Sequence, residues 1–167
     1  MQPGISVRWS SIAVLCGALL AASGHAGAGP ERMTLRYEPR YILEAVAHQM
    51  NVQLRADEPL PRIHFESRTP LATFQDAVAS QWNFRPPKFA NVYVVARNEI
   101  YLTDDPGYYR RLRRTLDESL AHEFTHYLQV RYQGANLDDE SAELQAIAVQ
   151  FAFRDENLTP VVVAHAS

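Results

Sequence analysis

The sequence predicts an α+β fold, in which a small sheet with a β-hairpin packs on one helix and a further helix follows. Three observations support this prediction. Apolar residues recur at helical spacing in several segments of the chain, short runs of β-branched and aromatic residues lie between them, and residues that favour helix ends stand at the boundaries.

The first two helical segments begin at recognisable start signals. Glu38 and Pro39 precede a run whose apolar residues fall at helix spacing, and Asn51 is suited to end it. Thr69 and Pro70 predict a second helix, with the threonine as N-cap and the proline at the first helical position. This helix should end before the prolines at 86–87, which break the pattern.

The later helical segments follow one another closely. Residues 105–106 form another start signal, and residues 115–118 match a capping box. The chain therefore forms either one long helix from position 106 or a short helix followed by a second that starts near Leu116. Gly134 is well placed to end this helix, and a last helix is predicted over residues 139–154.

Strands are predicted where short apolar runs are bounded by turn residues. The clearest pair lies at 91–96 and 99–102, joined by Arg97 and Asn98 at hairpin spacing. The remaining candidates are the segments 52–54 and 62–65, together with the tail at 161–163, which is either a strand or a frayed end.

The first 28 residues have the pattern of a secretory signal. Arg8 supplies a short positive segment, residues 12–22 form an apolar run, and Ala26 and Ala28 offer small residues for cleavage after either one. The apolar run is well short of the roughly 20 residues that span a bilayer. We therefore expect an exported protein, periplasmic or secreted, whose residues 29–167 form a single domain without membrane insertion.

Cysteine content and charge narrow the range of functions. Cys16 is the only cysteine and would leave with the signal, so any metal site must use histidine and carboxylate side chains. The net charge of −3 becomes −4 once Arg8 is removed, because 15 basic residues then face 19 acidic ones. Nothing in this balance indicates a nucleic-acid partner.

Two histidines that flank a glutamate give the strongest indication of chemistry. His122 and His126 are four residues apart on a predicted helix, which places both imidazole rings on one face, about one turn apart. Such a pair can bind one Zn²⁺, and Glu123 can then take a proton from the metal-bound water. The pattern matches the His-Glu-x-x-His signature of zinc hydrolases.

A third metal ligand must come from elsewhere, and the following helix offers Glu140 and Glu143. Glu143 shares a helical face with Ala146 and Ile147, so this face should look inward, and a carboxylate there is costly to bury without a partner such as Zn²⁺. Glu140 lies nearer the helix start, where the helix dipole by itself explains an acidic residue. Glu143 is therefore the favoured third ligand.

On these residues the chain resembles the gluzincin branch of the zincin metallopeptidases. It resembles more closely a family of small exported bacterial zincin-like proteins of unknown function. The resemblance implies a zincin-like fold, with His122, His126 and Glu143 as zinc ligands and Glu123 as the general base. The matching segments are 60–65, 100–102, 119–129 and 143–146, together with Gln150.

The group that would stabilise a developing oxyanion is left open, since zincins often use a tyrosine or a histidine for it. His48 and His64 are more simply explained as structural residues, because neither has ligand-type spacing to another histidine. The candidates by residue type are Tyr93, Tyr101, Tyr132, His64 and His165.

A basic run lies just before the histidine motif. The simplest interpretation is a solvated helix surface, since charge runs usually have no further role. The more specific alternative is that the run forms a surface patch that binds acidic substrates or partners. The run consists of Arg110, Arg111, Arg113 and Arg114.

The predicted function is that of a zinc-dependent hydrolase, most simply a peptidase with a peptide or protein substrate. Two alternatives stay open: a catalytically inactive zinc-binding interaction module of the cell envelope, and a zinc hydrolase that cleaves another kind of bond. Glu123 favours an enzyme, because a purely structural site needs no base. Either strand of the 91–102 hairpin could be an edge strand that aligns an extended peptide beside the site.

Overall fold

The computed structural model describes residues 31–158. They form helices and a small three-stranded sheet, so the predicted α+β class is confirmed. The signal segment, the tail at 161–163 and His165 lie outside the described residues. The helices are α1 (Pro39–Gln49), α2 (Leu71–Trp82), α3 (Pro106–Leu112), α4 (Leu116–Gln133) and α5 (Glu140–Asn157). The strands are β1 (Arg62–Phe65), β2 (Val92–Val94) and β3 (Glu99–Leu102).

The strand order in the sheet is β1-β3-β2, which leaves β2 at the edge and β3 in the centre. The predicted hairpin is confirmed, because β2 and β3 pair antiparallel. They are joined by a 3-10 turn, Val95–Arg97, and by Asn98 at a φ of 50°, so the connection is longer than predicted. β1 pairs parallel with β3, which requires the long crossover that contains α2.

Successive side chains of each strand point to opposite faces of the sheet, and the two faces pack into two separate hydrophobic cores. One face of the sheet carries Val92, Val94 and Tyr101, which pack with Phe74, Ala77 and Val78 of α2. The other face carries Tyr93, Ile100 and Leu102, which join the larger core formed with α1, α4 and α5. The sheet therefore lies between α2 on one side and α4 on the other.

Helix α4 is the central element, and its residues 116–121 and 123–129 are all buried. The predicted capping box is present, since Thr115 Oγ1 accepts from the Glu118 N–H and Glu118 Oε2 accepts from the Thr115 N–H. Gly134 ends the helix in the left-handed conformation, with a φ of 68°. Of the two alternatives for the 106–133 segment, the short helix followed by a second one is correct, and Arg113 at a φ of 53° separates them.

Three expectations about local structure need correction. Residues 52–54 are not a strand, because they leave α1 through Asn51 at a φ of 52° and have no strand partner within residues 31–158. Helix α2 begins at Leu71 with Pro70 as its N-cap, one position later than predicted. Helix α5 runs on to Asn157 instead of ending near position 154. None of the helices in the described part of the chain is long and apolar enough to cross a bilayer.

Candidate metal centre

His122 and His126 lie one turn apart on α4 and turn their rings toward each other. Their Nε2 atoms are 3.1 Å apart, and the ring planes stand edge to face. Only 14% and 11% of the two side chains is exposed. These two nitrogens can satisfy each other when one N–H donates to the other ring, or they can bind one metal ion together.

Glu143 on α5 completes the group. Its Oε2 atom lies 3.5 Å from His122 Nε2 and 3.3 Å from His126 Nε2. Glu140 is exposed at the start of α5 and is not part of the group. The expected burial of Glu143 was wrong, because its side chain is 53% exposed. That Glu143 is the third ligand stays a prediction.

The geometry of the three side chains fits a tetrahedral zinc ion. Zinc bonds of about 2.0 to 2.1 Å at tetrahedral angles place neighbouring ligand atoms about 3.3 Å apart. The three separations here are 3.1, 3.3 and 3.5 Å, which bracket that value. The side chains therefore already have the spacing that a bound Zn²⁺ would need.

The hydrogen bonds of Gln129 determine which nitrogen of His126 carries a proton. Its Nε2 atom donates to the Ala142 carbonyl oxygen at 2.8 Å and to Gln145 Oε1 at 2.9 Å, so its Oε1 atom acts as an acceptor. That oxygen lies 2.9 Å from His126 Nδ1, which must therefore be the N–H group. In a neutral ring, His126 Nε2 then carries the lone pair, which can accept from His122 or bind a metal.

The His122 imidazole favours its neutral form. Burial and the neighbouring His126 lower its pKa to about 4, against an opposing effect from Glu143. A neutral imidazole retains a lone pair at neutral pH, as a metal ligand must. The His122 Nδ1 atom is buried and makes no hydrogen bond within residues 31–158, so this ring is less firmly oriented than that of His126.

Glu123 is buried beside the histidines. Burial, and after it the Glu143 carboxylate, raise its pKa to about 8, and a hydrogen bond from the Tyr93 backbone opposes the shift. A carboxyl group with a pKa in this range can both accept and release a proton near neutral pH, which is the property of a general acid or base.

The cleft around this group has two halves that share Asn91, His122, Glu123 and Glu143. The first half has a volume of about 160 Å³ and is bounded by polar residues, among them Tyr108, Arg114 and Gln150. The second half has a volume of about 280 Å³ and is bounded by Trp82, Val92 and Leu137, among others. A larger cavity of about 610 Å³ lies beyond Tyr108 and touches neither histidine.

None of the tyrosines proposed to stabilise an oxyanion presents a free hydroxyl group to the cleft. The hydroxyl groups of Tyr93 and Tyr101 donate to Asn98 and Glu99, and that of Tyr132 accepts from the Arg55 N–H. His64 stacks on Tyr101 and lines neither half of the cleft.

Tyr108 was missed by the sequence analysis, although it lines the cleft together with His122 and Glu123. Burial raises its pKa, so its hydroxyl group stays a hydrogen-bond donor at neutral pH. The only local signal was its place on the short helix before the motif, next to Tyr109, whose side chain is buried in the core.

The edge strand beside the site is β2, whereas β3 is paired on both sides and cannot be an edge. The outward groups of β2 are not free, however. The Gln81 side chain donates to the Tyr93 carbonyl oxygen and accepts from the Val95 N–H, both at 3.0 Å. An extended peptide can add to this edge only if the Gln81 amide moves away.

Comparisons with known proteins add no relative: no protein-family model matches the chain, and no curated protein or solved structure is significantly similar to it.

Proposed function

We propose that this protein is a zinc-dependent hydrolase that acts on peptide bonds. One observation carries the proposal: His122, His126 and Glu143 converge at the spacing of a tetrahedral zinc site, directly beside the buried Glu123. A site with only a structural role has no need of a buried carboxyl group whose pKa is raised to about 8. The similarity to gluzincins in the motif is part of the same proposal.

Each residue has a distinct role in this proposal. The two histidines and Glu143 hold the ion, and Gln129 fixes the ring of His126. When bound, zinc supplies a Lewis acid that activates water and a positive charge that favours the ionised form of a nearby carboxyl group. Glu123 accepts a proton from the attacking water and passes it to the leaving amine.

Tyr108 can donate a hydrogen bond to the substrate oxygen on which negative charge develops, because it lines the same cleft as Glu123.

A comparison of wild type with Glu123→Gln tests this function. Glutamine keeps the size of the side chain but cannot accept a proton, so zinc content and folding should be unchanged. Cleavage of casein or of a mixed peptide library should fall by a factor on the order of 10² or more. Equal cleavage rates for the two proteins would refute the proposed mechanism, and zinc-loaded wild type that cleaves nothing would refute the function.

We also propose that the protein acts outside the cytoplasm, as a periplasmic or secreted enzyme. The support is the three-part pattern in residues 1–28, which ends in small residues suited to cleavage. The exported protein should begin at Gly27 or Gly29, and N-terminal sequencing of the purified protein checks this. A protein that retains Met1 would contradict it.

One observation favours a second candidate, a zinc-binding interaction module without catalytic activity. The Gln81 amide already occupies the edge of β2, where a substrate peptide would add. Gln81→Ala distinguishes the two candidates. In a peptidase it should preserve or increase cleavage, because the edge becomes free for substrate, whereas a module should show no cleavage with either residue.

A further inference from the structure

The arginine run before α4 does not form one surface patch. Arg110, Arg111 and Arg113 are exposed, whereas Arg114 is half-buried and lines the polar half of the metal cleft. The cause lies in the backbone: Arg113 adopts a φ of 53°, which turns the chain between α3 and α4. Arg114 therefore belongs to the candidate site.

The guanidinium group of Arg114 makes no ion pair and no side-chain hydrogen bond with any residue of the described range 31–158. It is nevertheless close enough to His122 and Tyr108 to oppose positive charge on the histidine and to favour the ionised tyrosine. A half-buried cation without a carboxylate partner is unusual in a folded protein, because partial desolvation is then uncompensated.

With zinc bound, the other charges of the site would leave the positive charge of Arg114 without a counter-charge. The carboxylates of Glu123 and Glu143 together offset the two positive charges of a zinc ion, and the two histidines are neutral ligands. Arg114 then remains as one excess positive charge on the wall of the cleft. An anionic group of the substrate would balance it.

The other half of the cleft has a different character. Trp82, Val92 and Leu137 line it, and no arginine or lysine does so among the described residues. It continues into a further cavity of about 480 Å³ that shares Trp82 and Leu137. Most of its other lining residues are polar, so Trp82, Val92 and Leu137 form one apolar wall within a mixed surface that Arg114 does not line.

We propose that Arg114 binds a carboxylate group of the substrate on one side of the scissile bond, while Trp82 and Leu137 hold an apolar side chain on the other. This inference rests on the proposed hydrolase function and specifies its substrate. A guanidinium group matches a carboxylate through two parallel hydrogen bonds, which gives both affinity and orientation. The carboxylate comes from an acidic side chain or from the C-terminus of a short peptide.

Peptide binding to zinc-loaded Glu123→Gln tests this proposal without turnover. After removal of residues 1–28, Trp82 is the only tryptophan, so its fluorescence reports occupation of the cleft. The probes are three N-acetylated hexapeptide libraries: one with a free C-terminus, one amidated without acidic residues, and one amidated with a fixed glutamate. Wild-type protein, cleaving the same libraries, provides a separate measurement of activity.

Adding Arg114→Gln to this protein should weaken binding of a carboxylate-bearing library by about 10- to 100-fold, the usual effect of losing a charged hydrogen-bonded pair. Zinc content and binding of the uncharged library should not change. Arg110→Gln is the matched control, because it removes the same charge from an exposed position of the same run. Arg114→Lys should restore only part of the affinity.

The pattern across the libraries identifies the carboxylate. A loss confined to the free-acid library assigns it to the C-terminus, and a loss confined to the glutamate library assigns it to a side chain. Equal effects of Arg114→Gln on all three libraries, or equal effects of Arg110→Gln, would overturn the proposal while leaving the hydrolase function intact. Carboxylate-dependent binding without any cleavage by wild type would instead overturn the hydrolase function alone.

Discussion

Replacing Glu123 with glutamine should stabilise the metal-free protein at alkaline pH. Burial, and then Glu143, raise the pKa of Glu123 from 4.5 to about 8 in the folded state. The folded protein therefore holds this proton more tightly than the unfolded chain does. Its contribution to stability is complete below the unfolded pKa, declines as the pH rises above it, and is lost once the pH passes the folded pKa.

The size of the effect follows from the two pKa values. Each pKa unit corresponds to about 1.4 kcal/mol of differential interaction, so the rise from 4.5 to about 8 corresponds to a full loss on the order of 5 kcal/mol. Glutamine does not ionise and avoids this loss. Roughly 1 kcal/mol of the loss has occurred by about pH 5, so the advantage of the variant should grow by about 4 kcal/mol between about pH 5 and about pH 9.

Urea unfolding followed by circular dichroism, after zinc removal with a chelator, measures this difference. Glu140→Gln is the matched control, since Glu140 is exposed and its replacement should give no comparable pH-dependent gain. Added zinc should reduce the difference in the free energy of unfolding between Glu123→Gln and wild type, because a nearby cation favours the ionised carboxylate of Glu123. A stability difference between wild type and Glu123→Gln that is the same at both pH values would refute the reasoning.

Three further predictions concern the site. Glu143→Gln should weaken zinc binding far more than Glu140→Gln in a competition titration, and equal losses would exclude Glu143 as the third ligand. Gln129→Met should lower zinc affinity by about 10- to 100-fold, the usual effect of removing an outer-shell partner of a ligand, and unchanged affinity would contradict the role given to its hydrogen bonds. Tyr108→Phe should retain zinc while kcat falls by a factor on the order of 10², and an unchanged kcat would remove Tyr108 from the mechanism.

Local signals in the sequence predicted the elements that carry the site. The capping box at Thr115 and Glu118 and the glycine at position 134 determine where α4 begins and ends, and both act within one helical turn. The spacing of His122 and His126 is likewise a property of one helix. These features are predictable because they depend on neighbours along the chain.

The features that depend on packing between distant segments were harder to predict. Apolar neighbours on α5 suggested that Glu143 is buried, yet its exposure depends on how α5 packs against α4. In the sequence, Arg114 belongs to a run of arginines that is most simply interpreted as a solvated surface. It lies in the cleft because the chain turns at Arg113. Gln81 gave no signal at all, because its contact with β2 joins segments that are 12 to 14 residues apart.

Metal content tests the central claim most directly. Exported protein that is purified without added metal or chelator should contain about one zinc ion per chain by elemental analysis. The double variant His122→Ala/His126→Ala should contain almost none, although its fold should persist in circular dichroism. Wild-type protein that takes up no zinc, or a double variant that retains a full equivalent, would contradict the proposed zinc centre.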